Sequence, residues 1–170
     1  VGRAAVDNRT VFIARTGWYD IFSESALDYF PNFGQNGKVF IQVDASGHGR
    51  MAGKPFPVRS IPEDWILPDM INTIQDAPNP TPDQSSIVYY LMGDADDPDA
   101  PGNCYKQTHV WPVPHTPMRY YLHSDGLVAT NRPSADRDSL TFEYDPRHPV
   151  PSIGGDVFIH QGVGPRDQRA

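Results

Sequence analysis

Asp20 and His48 are the side chains of this sequence whose types and placement could move a proton. A histidine acting as general base needs a partner that fixes its tautomer and stabilises the imidazolium, and a carboxylate supplies both. Each residue follows a stretch that reads as a β-strand, so the pair would meet at neighbouring strand ends. In Gly47-His48-Gly49 the histidine lies between glycines, whose backbone freedom would turn the ring back over those ends. A plainer reading stands beside this one. An aspartate after a strand also caps helices or turns the chain, and a histidine among glycines also serves as an ordinary loop residue.

The elements that must position the pair are legible around it. Val11-Phe12-Ile13-Ala14 and Val39-Phe40-Ile41-Gln42-Val43 are short runs rich in β-branched and aromatic residues, as buried parallel strands are. Between them a helix is expected, with Ser23 as N-cap and Ala26, Leu27, Tyr29, Phe30 and Phe33 on its apolar face. Gly34 and Asn36-Gly37 would stop it. Strand, helix and strand in this length fit a right-handed βαβ crossover, and open α/β sheets carry their chemistry beyond the carboxyl ends of the strands. Asp20 and His48 both fall there. In α/β-hydrolases the triad runs nucleophile, acid, histidine along the chain, so this unit has the order of the last two members.

The same segments carry a family resemblance. Gly17-Trp18-Tyr19-Asp20 with Ile21-Phe22, and Gly47-His48-Gly49 after a strand, resemble the acid and histidine segments of the serine hydrolases that include cocaine esterase and X-prolyl dipeptidyl-peptidase. Four further segments follow in the order found in the family's carboxy-terminal β domain. They are Tyr89-Tyr90-Leu91-Met92-Gly93, Trp111-Pro112-Val113-Pro114, Arg119 to Leu127, and Tyr144 to Pro151 with Gly154-Gly155. The resemblance implies α/β followed by all-β: the terminal βαβ part of an α/β-hydrolase domain over 1–78, then a partial jelly-roll β-sandwich over 79–170. It implies Asp20 and His48 as triad members, Trp18 and Tyr19 as lining of the substrate pocket or as core, and a small ester, amide or X-Pro peptide as substrate. The jelly roll would wall the cleft and offer an assembly surface, which admits a homo-oligomer.

A nucleophilic serine on a G-x-S-x-G elbow is also implied, and these 170 residues contain no such motif. Ser46 is a poor substitute, being two residues from His48 in the same loop; a backbone hydrogen bond suits it better. One βαβ unit cannot cover both faces of a parallel sheet, so its strands are expected to need neighbours from an upstream part of the hydrolase domain. The start at Val1 and the polar stretch from Gly162 to Ala170 both read as cut ends, and such a chain is expected to be inactive alone.

Composition narrows the remaining classes. Fourteen Lys and Arg against 21 Asp and Glu give a formal charge of −7, with lysine at positions 38, 54 and 106 alone. No basic stripe for nucleic acid exists, and no apolar run approaches the ~20 residues of a membrane span. Cys104, the single cysteine, excludes an internal disulfide and indicates no compartment. Eighteen prolines, nearly all after His48, are about twice the usual share and favour a loop-rich β architecture there.

Downstream, Pro62 and Pro68 could open short helices through Ile74, and Asp76 to Asp83, with three prolines, reads as the passage between domains. Strands are expected at Ser86 to Met92, Met118 to His123, Leu140 to Tyr144 and Asp156 to His160. Gly93 to Asn103 reads as a solvated acidic loop: its aspartates lack the glycine and closing glutamate of a calcium loop. The other histidines show no metal-ligand spacing, and no metal or cofactor is expected. Tyr89, Tyr90, Trp111, Tyr120, Tyr121, Phe142 and Tyr144 support an alternative from another class, a non-catalytic β-sandwich module binding carbohydrate or a protein partner.

Overall fold

β1 (Val11–Tyr19) and β2 (Lys38–Gly47) run parallel, with Phe12 opposite Val39 and Ala14 opposite Ile41. Both strands outrun the apolar cores that announce them. The computed structural model describes residues 11–34, 38–48, 56–57, 84–97, 99–134, 139, 141–151, 153–156 and 164–168. Val39, Phe40, Ile41, Gln42 and Val43 are all buried, so β2 is covered on both faces, as its continuous apolar run requires.

The connecting helix, α1 (Ser23–Phe33), differs from expectation at its start and ends at Gly34 as expected; Asn36-Gly37 lie outside the described residues. Phe22 is the N-cap residue, and no side chain caps the helix; Ser23 is its first residue. The chain turns in through backbone bonds, Ser23 N–H to the Asp20 carbonyl at 3.0 Å and Ala26 N–H to the Phe22 carbonyl at 2.9 Å. Gly34 closes it with ordinary right-handed angles and an N–H bond to the Phe30 carbonyl at 2.7 Å. Pro31 lies inside the last turn, where its missing N–H removes one helical bond. Three of the five expected apolar-face residues meet the core: Phe30 is buried with Val39, Ile41, Val43 and Ile87, and Leu27 and Phe33 pack against it with Phe12 and Ala14, whereas Tyr29 is exposed. Phe12 also stacks on Tyr29 and Phe33.

β3 (Ser86–Leu91) adds to β2 in parallel, and β4 (Cys104–Thr108) returns antiparallel to β3, so one mixed sheet runs β1-β2-β3-β4. The helical turns expected through Ile74 and the linker at 76–83 lie outside the described residues. β3, expected in the second domain, hydrogen-bonds directly to β2. β4 was not legible, because Cys-Tyr-Lys-Gln-Thr has no alternating apolar pattern and takes its strand form from pairing with β3. A serine fastens this arrangement. Ser85 Oγ accepts from Val39 N–H at 3.0 Å and donates to the Gly34 carbonyl at 2.9 Å, linking the end of α1, the start of β2 and the entry to β3.

Residues 114–151 form a separate unit. Its described strands are a small hairpin, β5 (Tyr121–Leu122) with β6 (Val128–Ala129). The strand expected at Met118 to His123 is thus shorter, and the described residues 141–144 of the one expected at Leu140 to Tyr144 are not in a strand. Their alternating pattern faces no sheet: Phe142 is 84% exposed. Most of the strand expected at Asp156 to His160 lies outside the described residues. The described chain is mainly β, with one mixed sheet and one α-helix, and no helix in it is long and apolar enough to cross a membrane.

Ser85→Ala removes both side-chain bonds and strands a buried N–H. It is expected to lower stability by about 1 to 3 kcal/mol in urea unfolding, and a change under about 0.5 kcal/mol, the surface-substitution range, would contradict the fastening role.

Candidate active site

At the carboxyl edge of the sheet the pairing of β1 and β2 slips. Gly17 is level with Asp44, but Tyr19 is level with Gly47, so β2 contains one residue more than β1 over that interval. A bulge of this kind re-aims the side chains beyond it. Without the extra residue Tyr19 would face Ser46; with it, one further step sets Asp20 level with His48. Gly17 makes the bulge possible, because a Cβ there would lie 2.0 Å from the Ser46 carbonyl oxygen. Gly47 remains within β2, so on that side the bulge presents the histidine; Gly49 lies outside the described residues.

The structure brings Asp20 and His48 together. His48 Nδ1 lies 3.1 Å from Asp20 Oδ1. An ionised carboxylate only accepts, so in this contact Nδ1 donates, and in the neutral ring Nε2 is left as the basic nitrogen. Asp20 is buried and the His48 side chain is about one-third exposed, so the imidazole has the access to solvent that a proton carrier needs. Asp20 Oδ1 also accepts the Phe22 N–H at 3.0 Å, an Asx turn placing the carboxylate beside the start of α1. Helix N-termini carry unpaired N–H groups and suit negative charge. Residue 20 thus does both things its type suggests: it turns the chain into the helix and it holds the histidine.

Trp18 and Tyr19, the candidate pocket residues, are placed differently from each other. Trp18 packs on the α1 side of the sheet, its ring meeting Tyr89 and Trp111, and its Nε1 donates to the Tyr90 carbonyl at 2.7 Å. Those contacts serve the sheet. Tyr19 is half-buried opposite Gly47, beside the pair. Ser46 lies against Gly17 across the bulge, where its carbonyl shapes the strand end.

Sequence reading missed two features. One is Phe22, whose ring meets the His48 imidazole with centroids 5.4 Å apart; the Asp-x-Phe turn was its signal. The other is a polar cluster at the last residue before the bulge. Asp44 Oδ1 accepts from Gln42 Nε2 at 2.6 Å and from Tyr105 OH at 2.7 Å, and Arg15 Nε stands 3.4 Å from Oδ2. β1, β2 and β4 are joined there. Burial and the Asp44 hydrogen bond push the Tyr105 phenol well above its usual value. Gln42, almost fully buried, has its Oε1 without a hydrogen-bond partner among the described residues.

Elsewhere, the 93–103 loop is organised by its own aspartates, Asp94 accepting from Asp96 N–H and Asp97 from Asp99 N–H, around the buried Asn103. Among the described residues no three His, Cys, Asp or Glu side chains gather as metal ligands.

Two substitutions test the strand end. Gly17→Ala must part the strands or undo the bulge, an overpacking expected to cost about 1 to 3 kcal/mol in urea unfolding and to abolish the His48 Nδ1–H resonance in proton NMR. Tyr105→Phe is expected to lose about 1 to 2 kcal/mol at neutral pH. Because folding raises the phenol's pKa, its contribution is whole below tyrosine's ordinary value of 10.0 and falls as pH rises past it. The variant's stability should therefore fall less steeply than the wild type's above that pH.

No family model matches the chain, and no solved structure matches it. Over 69 residues it is 38% identical to cocaine esterase from Rhodococcus sp. (strain MB1 Bresler), a match covering 35% of this chain and 12% of that protein. The chain thus spans about an eighth of the length of this relative. The similarity is that of a distant relative, and it links part of this chain to an esterase.

Proposed function

We propose that this chain belongs to the catalytic part of a serine hydrolase of the α/β-hydrolase fold, cleaving ester or amide bonds, X-Pro dipeptidyl bonds among them. The observation that carries the reading is the 3.1 Å contact between Asp20 and His48 at the carboxyl ends of two adjacent parallel strands. The chain order, acid before histidine, and the partial similarity to an esterase support it.

In this reading the serine oxygen attacks the substrate carbonyl carbon while its proton passes to His48 Nε2. Asp20 holds the resulting imidazolium through Nδ1–H. The proton on Nε2 then goes to the departing alcohol or amine as the acyl-enzyme forms, and a water molecule, deprotonated by Nε2, attacks the acyl carbon, releasing the acid as Nε2 returns its proton to the serine oxygen. The sequence contains no G-x-S-x-G, so the serine and the oxyanion donors come from a segment outside these residues, the partner this reading requires. The ordered motifs from Arg119 onward support a jelly-roll domain in the whole protein. For residues 114–151 the exposed Tyr120, Phe142 and Tyr144 favour a second reading, a surface that binds carbohydrate or a protein.

A fluorophosphonate probe and p-nitrophenyl acetate test the main reading. The 170-residue chain alone is expected to take no label and hydrolyse nothing, and label should appear on the serine-bearing segment of the assembled enzyme. There His48→Ala is expected to lower kcat about 10⁶-fold and Asp20→Asn about 10⁴-fold. Label on this chain itself, or an unchanged kcat in His48→Ala, overturns the assignment.

A further inference from the structure

Phe22 touches both members of the pair at once. Its backbone N–H donates to Asp20 Oδ1 at 3.0 Å, the same oxygen that receives His48 Nδ1 at 3.1 Å. Its ring meets the imidazole at 5.4 Å between centroids, with the planes at 66°. We propose that Phe22 is a positioning residue for the pair: its N–H fixes the carboxylate oxygen, and its ring keeps the imidazole in the rotamer that holds Nδ1 on that oxygen. The catalytic consequence rests on the hydrolase reading above; the positioning itself does not.

The placement of the ring argues for this role over simple packing. Phe22 is 52% exposed and lies outside the buried core cluster. Its backbone, by contrast, is tightly set. Ser23 N–H bonds the Asp20 carbonyl, and Ala26 N–H bonds the Phe22 carbonyl as the first helical turn closes. The ring therefore projects from a fixed base beside a histidine that is itself about one-third exposed. An edge-to-face contact between two such rings favours one relative orientation over the others. Oδ1 is shared between the Phe22 N–H and His48 Nδ1, so a shift of the turn moves both bonds together.

The test separates ring from backbone. Phe22→Ala keeps the N–H and removes the ring, and Phe22→Tyr keeps the ring. Two signals report on His48 in the 170-residue chain: its Nδ1–H proton resonance, and its rate of modification by diethyl pyrocarbonate, read on its own peptide by mass spectrometry. In Phe22→Ala the resonance is expected to broaden or vanish and the modification rate to rise about two- to tenfold, the population ratio such an aromatic contact spans. Phe22→Tyr should restore both. A wild-type resonance and rate in Phe22→Ala overturn the proposal.

In the assembled enzyme the same factor should be lost from kcat, equally for short and long acyl chains. A change confined to KM and graded with acyl size would make Phe22 a wall of the substrate pocket and overturn the positioning role. His48→Ala in that assay tests the hydrolase reading separately. If it leaves kcat unchanged while the two His48 signals respond to Phe22 as expected, the hydrolase reading falls and the positioning stands.

Discussion

The extra residue in β2 between Asp44 and Gly47 sets the geometry of everything at the carboxyl edge. In a parallel pair the register is carried by evenly spaced hydrogen bonds, and an insertion on one side shifts every later residue by one step and one face. Here the shift sets His48 level with Asp20. It requires that β1 accept the Ser46 carbonyl at close range, and only a residue without a Cβ admits it at Gly17. The polar cluster around Asp44 secures β2 at the residue before the bulge and ties it to β1 and β4. The register error is thus held in place from both sides.

The rest of the sheet supports that edge by burial. α1 covers one face with Phe30, Leu27 and Phe33, and the strands beneath it contribute Val39, Ile41, Val43 and Ile87. Burial of a continuous apolar strand favours one register strongly, because a slip would drive Gln42 and Asp44 into the apolar side. Ser85 connects the three elements that converge at the opposite end of β2. Helix entry and the geometry of the pair meet in Asp20. Its carbonyl and carboxylate both receive backbone N–H groups at the start of α1, so the group that orients His48 is itself anchored by the helix.

Much of this was legible from residue types. The paired apolar runs, the helical spacing of Leu27, Phe30 and Phe33, and the acid and histidine after successive strands gave the βαβ unit and the two residues that meet. The misses have physical causes. Ser23 is not the cap because the Asp20 turn already satisfies the helix entrance through backbone and carboxylate. β4 has no apolar alternation, so nothing in Cys104–Thr108 announces a strand until β3 offers its edge. Leu140 to Tyr144 has the alternation, yet its described residues are not in a strand, since a strand forms only where a partner ladder exists.

What the sequence determined by itself is local and chemical: which runs are apolar enough to be buried, where the chain turns, and which side chains can exchange a proton. A carboxylate and an imidazole are evident from their letters alone. What tertiary structure decided is relative position. The bulge opposite Gly17, the ring of Phe22 against His48, and the convergence of Arg15, Gln42, Asp44 and Tyr105 join residues distant in the chain. Such contacts depend on strand register and on the packing of α1 against the sheet. Those are set by the sum of many small burial and hydrogen-bond terms across the unit, which no short stretch of residues carries on its own.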